Sequence, residues 1–460
     1  MSIDATAAAP ARDATVAAER NPSPFLLALF RLLDERAVRY CVLHSWQRLP
    51  EELPSDLDIA VHPQDRTTFF AMLKDVAAAG FRPVQSLNYS LDAFYFVFVW
   101  HEGTRLRCVA LDTIFDHWRS GLCSLRGGEM VAGRSRQGVF WAASPEVEFA
   151  YLLAKRAWKG GASPTQARRF QELAEHLSRA RAEELAGRVF LPTVKELVVD
   201  ACLAGSLSEV LPRLKPQLSR TALARHPLAL ARFLLAESAR VMRRWWKPTG
   251  LFLAVLGPDG VGKSTLVENV CCELGPCFRR VRVYHWRPGL VAQSKSAPVT
   301  APHQKPARGI VASCLILLGV LLDYWLSYAL VVRPFLARSG LVLFDRYFPD
   351  LLVDPLRYRY GGPKWFARAL GSLLPKPDLP YLVLDAEDQS ILARKHELPP
   401  EELRRQLGQY RSLTRASHEA VLVDSDNGVE PTLAKVTHLV VQHLAERFEM
   451  RSANVSSPSS

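Results

Sequence analysis

Leu251-Phe-Leu-Ala-Val-Leu256, Gly257-Pro-Asp-Gly-Val-Gly-Lys-Ser264 and Thr265-Leu-Val-Glu-Asn-Val270 read in turn as a strand, a glycine-rich loop and a helix. The loop fits the pattern GxxxxGK[ST], in which each residue type has a physical task. Gly257, Gly260 and Gly262 let the backbone wrap an anion and aim successive N–H groups at phosphate oxygens. Lys263 adds a positive charge on a flexible stem. The Ser264 hydroxyl suits Mg2+, and the helix that follows presents the positive end of its dipole. This segment predicts a phosphate-binding loop at the mouth of an α/β sheet.

The rest of the chain is larger than one such sheet needs. Its 460 residues suggest two or three domains at about 150 residues each. Hydrophobic content of 48% and charged content of 23% are those of a folded chain rather than a disordered one. The formal net charge of +12 suits an anionic ligand or surface without choosing among nucleotides, phospholipid headgroups and nucleic acid. Eight cysteines at 41, 108, 123, 202, 271, 272, 277 and 314 form no C-x-x-C pair, which predicts reduced thiols and a cytoplasmic protein. Residues 1–24 hold no apolar core of a secretory signal and are expected to be a disordered leader, with residues 450–460 a disordered tail.

Toward the N-terminus, Pro24–Ala37 is apolar at helical spacing and Tyr40-Cys-Val-Leu43 reads as a strand. In Ser55-Asp-Leu-Asp-Ile-Ala-Val61 two acids alternate with apolar residues, so a strand would put Asp56 and Asp58 on one face. Paired carboxylates of this kind make a platform for Mg2+. Arg105-Leu-Arg-Cys-Val-Ala-Leu-Asp112 supplies a third acid for a two-metal site. Solvated strand-edge acids are the plainer alternative. The pattern across Phe25–Trp118 resembles the nucleotidyltransferase superfamily, with strand, Asp-x-Asp strand and a later acidic strand; His44-Ser45 stands where that superfamily has a Gly-Ser turn. The resemblance implies an α+β domain over 25–135, either active or degenerate.

Residues 136–247 read as helical: Glu146–Trp158 up to Gly160-Gly161, then Gln166–Ala186 and Leu191–Leu207. Lys155 and Arg156 are expected as solvated helix charges, with a cleft-facing role as the alternative. Ala229–Lys247 mixes Trp245 and Trp246 with five basic residues, which suits either an inter-domain helix or contact with an anionic membrane.

Beyond the loop, Arg280–Tyr284, Leu341–Phe344 and Tyr381–Leu384 read as further strands. Ile310–Val332 is long and apolar enough to span a bilayer, yet Asp323 interrupts it and a crossover helix is needed between parallel strands. Asp345, at a strand end, can hold Mg2+, and Arg346 can clamp a phosphate. Arg394, Lys395, Arg404, Arg405 and Arg411 crowd a segment that could close as a lid.

Residues 248–449 resemble thymidylate-kinase-like P-loop kinases, on the strength of Gly257–Thr265 (a Walker A loop), Arg287-Pro-Gly289, Asp345-Arg-Tyr347 and the segment from Asp385 to Arg394. The resemblance implies a parallel sheet flanked by helices, with ATP and Mg2+ as cofactors. It implies nucleotide contacts at Gly257, Asp259, Gly260, Gly262, Lys263, Ser264 and Thr265, and catalytic roles for Lys263, Asp345, Arg346 and Arg394. Acceptor contacts would fall on Asp259, Arg287 and Tyr347, and metal contacts on Ser264 and Asp345. Residues near Asp323-Tyr-Trp325 lack the arginine with which such kinases grip the acceptor phosphate. The function expected is phosphoryl transfer to a nucleoside monophosphate or another phosphorylated small molecule. Nucleotidyl transfer through Asp56, Asp58 and Asp112 and a nucleotide-switched membrane-surface module are the alternatives. No specific nucleic-acid partner is expected; peripheral membrane contact and a homodimer are compatible with the sequence.

Overall fold

The structure, a computed structural model, describes residues 22–289, 306–394, 399–416 and 419–455. Most of the expected leader, residues 290–305, Lys395 and the end of the expected tail lie outside the described residues. The chain divides into two compact units. One gathers the chain up to Glu102, Arg107–Met242 and the stretch from Ala445, and the other comprises Gly103–Leu106 and Arg243–Leu444.

In the first unit, α1 (Ser23–Glu35) starts on Pro24, whose fixed φ suits a first turn, and buries Phe25, Leu26, Leu29, Phe30 and Leu33 at the spacing of one helix face. The strands are β1 (Tyr40–Val42), β2 (Leu57–Val61), β3 (Arg82–Ser90), β4 (Ala93–Glu102), β5 (Arg105–Ile114), β6 (His117–Arg119), β7 (Leu122–Leu125), β8 (Ser135–Gln137) and β9 (Phe140–Ala142). Among the described residues, β3-β4-β5-β2-β1-β9-β8 form one mixed sheet in that order. β2 and β5 run parallel, in a register that sets Asp58 beside Asp112. Helices α2 (Arg66–Ala78) and α3 (Gly127–Ala132) join these strands.

A helical region follows: α4 (Pro145–Lys159), α5 (Pro164–His176), α6 (Arg179–Gly187), α7 (Pro192–Leu203), α8 (Leu207–Arg225) and α9 (Pro227–Trp246). The expected helix over 166–186 is two helices. The chain turns at Leu177, and the Ser178 hydroxyl accepts the Arg181 N–H to start afresh. α4 is capped at both ends, by Ser144 accepting from Val147 N–H and by Gly160 at φ 75°. Tyr151 and Lys155, four apart, therefore sit above one another on its buried face.

The second unit is an α/β layer. Strands β10 (Leu251–Leu256), β11 (Arg280–His285), β12 (Gly340–Asp345), β13 (Tyr381–Asp385) and β14 (Ala420–Asp424) pair in the order β11-β12-β10-β13-β14, every pairing parallel. The central strands β10 and β12 are buried along their whole length, as a sheet covered by helices requires. The helices are α10 (Lys263–Leu274), α11 (Ile310–Ser327), α12 (Arg333–Ala337), α13 (Pro349–Val353), α14 (Lys364–Ser372), α15 (Asp388–Arg394), α16 (Pro400–Ala416) and the part up to Leu444 of α17 (Val429–Val455), whose stretch from Ala445 belongs to the first unit. α11 is the crossover between β11 and β12 and passes through a π-helical turn, Tyr328–Val332, into α12. The strand order reverses at β10, and a ligand crevice forms at such a point beyond the carboxyl ends of the strands.

Candidate functional site

The loop from Gly257 to Gly262 lies in that crevice. Gly257 has φ 145°, and a Cβ there would stand 3.0 Å from the Leu384 carbonyl oxygen, so backbone space and conformation both demand glycine. Gly262, at φ 101°, turns the chain into α10. Lys263 is buried and donates to the Pro258 carbonyl at 2.6 Å, while its Nζ stands 3.9 Å from Asp259. Burial, with Arg346 nearby, pushes the Lys263 ammonium down to about 7, against the pull of Asp259. Ser264 and Thr265 occupy the exposed first turn of α10.

Asp345 ends β12 in register with Val255 of β10 and His285 of β11. Its Oδ2 accepts the Ser264 hydroxyl at 2.9 Å and lies 3.7 Å from His285 Nδ1. Its Oδ1 is buried and has no hydrogen-bond partner among the described residues. Burial raises the Asp345 carboxyl, but bonding from His285 and Ser264 and the charge of Lys263 hold it below the usual range. A serine hydroxyl and an anionic carboxylate oxygen left open form an oxygen donor set that fits Mg2+.

Asp259, inside the loop, is clamped by Arg346 and Arg357. Burial pushes its carboxyl up, yet Arg346, Lys263 and Arg357 outweigh this and hold it well below the carboxylate range. Arg346 adopts φ 81°, a conformation costly for a side chain of this size. Its N–H bonds to Val255 O at 2.9 Å, and its guanidinium also holds Asp350 at 3.1 Å. Tyr410 donates to the other Asp350 oxygen at 2.8 Å. The sequence alone does not point to Arg357, Asp350 or Tyr410. Arg357 stands 98 residues from Asp259, and no local pattern announces that pairing.

Three expectations change. Tyr347 turns into the core, where its hydroxyl donates to Pro375 O at 2.6 Å and its ring packs edge-on against Phe252 and Phe344. It therefore faces no open cleft. Arg287 is met by Asp323 of α11 at 3.8 Å, so the acid that stands where an arginine was missing engages the neighbouring cation. Of the lid arginines, Arg404 pairs with Asp388, Arg405 with Glu402 and Arg411 with Asp385, while Arg394 is exposed at the end of α15.

The acids of the first unit sit differently. Asp58 is buried: Lys155 Nζ lies 2.6 Å from Oδ1 and His44 Nε2 2.6 Å from Oδ2, and the Tyr151 hydroxyl donates to Oδ1 at 2.8 Å. Burial raises its carboxyl, but Lys155 and His44 outweigh that and hold it well below the usual range. Lys155 is thus a buried partner of Asp58 rather than a solvated charge. Asp112 receives the Tyr89 hydroxyl at 2.7 Å, and burial together with Asp58 pushes its carboxyl up to about 7. Asp56 precedes β2, half-buried, with the Tyr95 hydroxyl 3.5 Å from one oxygen. Among the described residues, no group of three His, Cys, Asp or Glu side chains is arranged to hold a metal ion.

Comparison with known proteins gives relatives of one kind. The chain is 30% identical over 149 residues to the thymidylate kinase of Xanthomonas oryzae pv. oryzae (strain PXO99A), covering 32% of this chain and 61% of the relative. It resembles thymidylate kinases over that stretch. The thymidylate kinase of Xanthomonas campestris pv. campestris (strain B100) is 30% identical over 148 residues, again 32% of this chain and 61% of the relative. That of Xanthomonas euvesicatoria pv. vesicatoria (strain 85-10) is 29% identical over 149 residues, 32% and 62% of the two chains. The chain thus spans about three fifths of the length of these curated relatives. No family model matches it.

Proposed function

We propose that the second unit, residues 248–449 in the domain division expected from the sequence, is an ATP- and Mg2+-dependent phosphotransferase of the thymidylate-kinase-like kind. Its acceptor would be a nucleoside monophosphate or another phosphorylated small molecule, and its compartment the cytoplasm. The observation that carries this is the pairing of Ser264 with Asp345 beside a buried Lys263, one Asp345 oxygen being left open. Backbone N–H groups from Gly257 to Ser264 and the Lys263 ammonium bind the phosphate tail, with Thr265 beside them. Ser264 and Asp345 would hold Mg2+, which when bound neutralises charge on the phosphates. Arg346, fixed by Asp259 and Asp350, keeps a rigid positive charge in the crevice, and Arg394 can approach from α15. Asp259 and Arg287 border the acceptor side. Transfer then rests on positioning and electrostatics, for which no strong base is needed.

The first unit is read as a nucleotidyltransferase-like domain over 25–135, followed by the helical region 136–247. The occupied oxygens of Asp58 favour a structural or degenerate site over metal-assisted nucleotidyl transfer through Asp56, Asp58 and Asp112.

Phosphoryl transfer from labelled ATP and Mg2+ to a panel of nucleoside monophosphates and sugar phosphates tests the reading. Product should form with the wild type and fall about 10²–10³-fold in Lys263→Ala. Product unaffected by Lys263→Ala would refute it.

A further inference from the structure

α11 has two unlike faces. Leu317, Val320 and Tyr324 point into the core of the second unit, and Asp323 is buried beside them. The opposite side is apolar and uncovered: Val311 is 73% exposed, Leu315 63%, Leu322 55%, Trp325 47% and Leu330, in the turn that follows, 66%. At about 1.5 Å per residue this side runs roughly 27 Å. Beside it stands α14, which packs against α11; the Trp325 indole donates to the carbonyl of Leu373, the residue just after α14, at 3.0 Å. There Trp365 is 69% exposed, flanked by exposed Lys364 and Arg368 on the same helix face. Scattered exposed apolar residues are ordinary, but a continuous face of this size is not.

The charges select the occupant. α11 carries one acid, Asp323, which is buried, and α14 carries none. A symmetric contact between two copies would set the same cations around the same apolar face with no acid from these helices to meet them. An anionic lipid surface meets both features. It accepts the apolar side chains, seats Trp325 and Trp365 at headgroup depth, and attracts Lys364 and Arg368. Spanning the bilayer is a different matter. The inner face of α11, with Leu317, Val320 and Tyr324, is part of the core of the second unit, so the helix is shared between core and surroundings and cannot be ringed by lipid. We propose that the α11–α14 face is a peripheral docking surface for anionic membranes, on which the second unit lies with α11 parallel to the bilayer plane. The proposal does not depend on the phosphoryl-transfer reading.

Flotation of the full chain with vesicles of phosphatidylcholine alone, or mixed equally with phosphatidylglycerol, is the test. The wild type should float with the mixed vesicles, less with phosphatidylcholine, and less again at high salt. Leu322→Glu should abolish flotation. Lys364→Glu with Arg368→Glu, a pair of exposed changes that leave the apolar face intact, should cost roughly tenfold or more on mixed vesicles and little on phosphatidylcholine. Three results would overturn the proposal: a wild type that stays unbound, equal flotation of all variants, or a dimer by light scattering that Leu322→Glu splits while no form binds vesicles.

Discussion

Each unit places an acid on a strand of its sheet and a lysine on a nearby helix, yet the two sites hold their charge in opposite ways. In the first unit Lys155 sits directly on Asp58 at 2.6 Å, and His44 and Tyr151 take up the remaining bonding capacity. In the second, Lys263 bonds to a backbone carbonyl at 2.6 Å, and one oxygen of Asp345 meets no partner among the described residues. A buried polar atom left unpaired costs stability unless something completes its bonding, and here it stands beside a phosphate-binding loop and a serine hydroxyl. The contrast separates a closed ion pair, which holds a fold together, from a lysine and an acid that are not paired with each other, whose charges stay available to a ligand.

The largest expected effect falls on the closed pair. Lys155→Met leaves Asp58 buried with only His44 and Tyr151, and should lower unfolding free energy at pH 7 by about 3–5 kcal/mol. In that variant the Asp58 carboxyl no longer has its main cation, so its pKa rises above the unfolded value. The penalty is present at neutral pH and fades as pH falls and the acid protonates. Urea unfolding at pH 7 and pH 5 checks both statements. A loss under about 1 kcal/mol would show that the pair contributes little beyond a surface contact.

A smaller effect concerns its neighbour. Asp112 is pushed up to about 7 in the folded chain, above its unfolded value, so ionising it costs stability. That cost is absent well below the usual carboxylate range, grows as pH rises, and is complete above about 7. Asp112→Asn should therefore be more stable than the wild type at pH 8 relative to pH 5, read as the difference in melting temperature between the two pH values. The same pH dependence in both proteins would contradict the placement of Asp112 beside Asp58.

Much of the second site is legible in the sequence, because its chemistry is local. Gly257 to Ser264 encode the loop, and the run ending at Asp345 encodes a strand delivering an acid to the carboxyl end of the sheet. What stays hidden depends on pairings across the fold. Asp58 meets Lys155 97 residues away, and Asp259 meets Arg357 98 residues away. Helical spacing of Tyr151 and Lys155 shows that they share a face, but only the β2–β5 register and the seat of α4 show what that face meets. Tyr347 misleads for a related reason. It follows Asp345 and Arg346 directly, but Arg346 at φ 81° turns the chain and Tyr347 joins the core.

Calorimetric titration of ATP with Mg2+ into the full chain, from about pH 6 to about pH 8, roughly one unit either side of the Lys263 titration at about 7, tests the open site most directly. Lys263, pushed down to about 7, is largely neutral in the free protein above that pH and must take up a proton to meet phosphate. The account predicts binding that weakens as pH rises, with proton uptake seen as a dependence on buffer ionisation heat, and a loss of about a hundredfold in Lys263→Ala. Binding that is equal in Lys263→Ala, or that shows no proton uptake at pH 8, would contradict it.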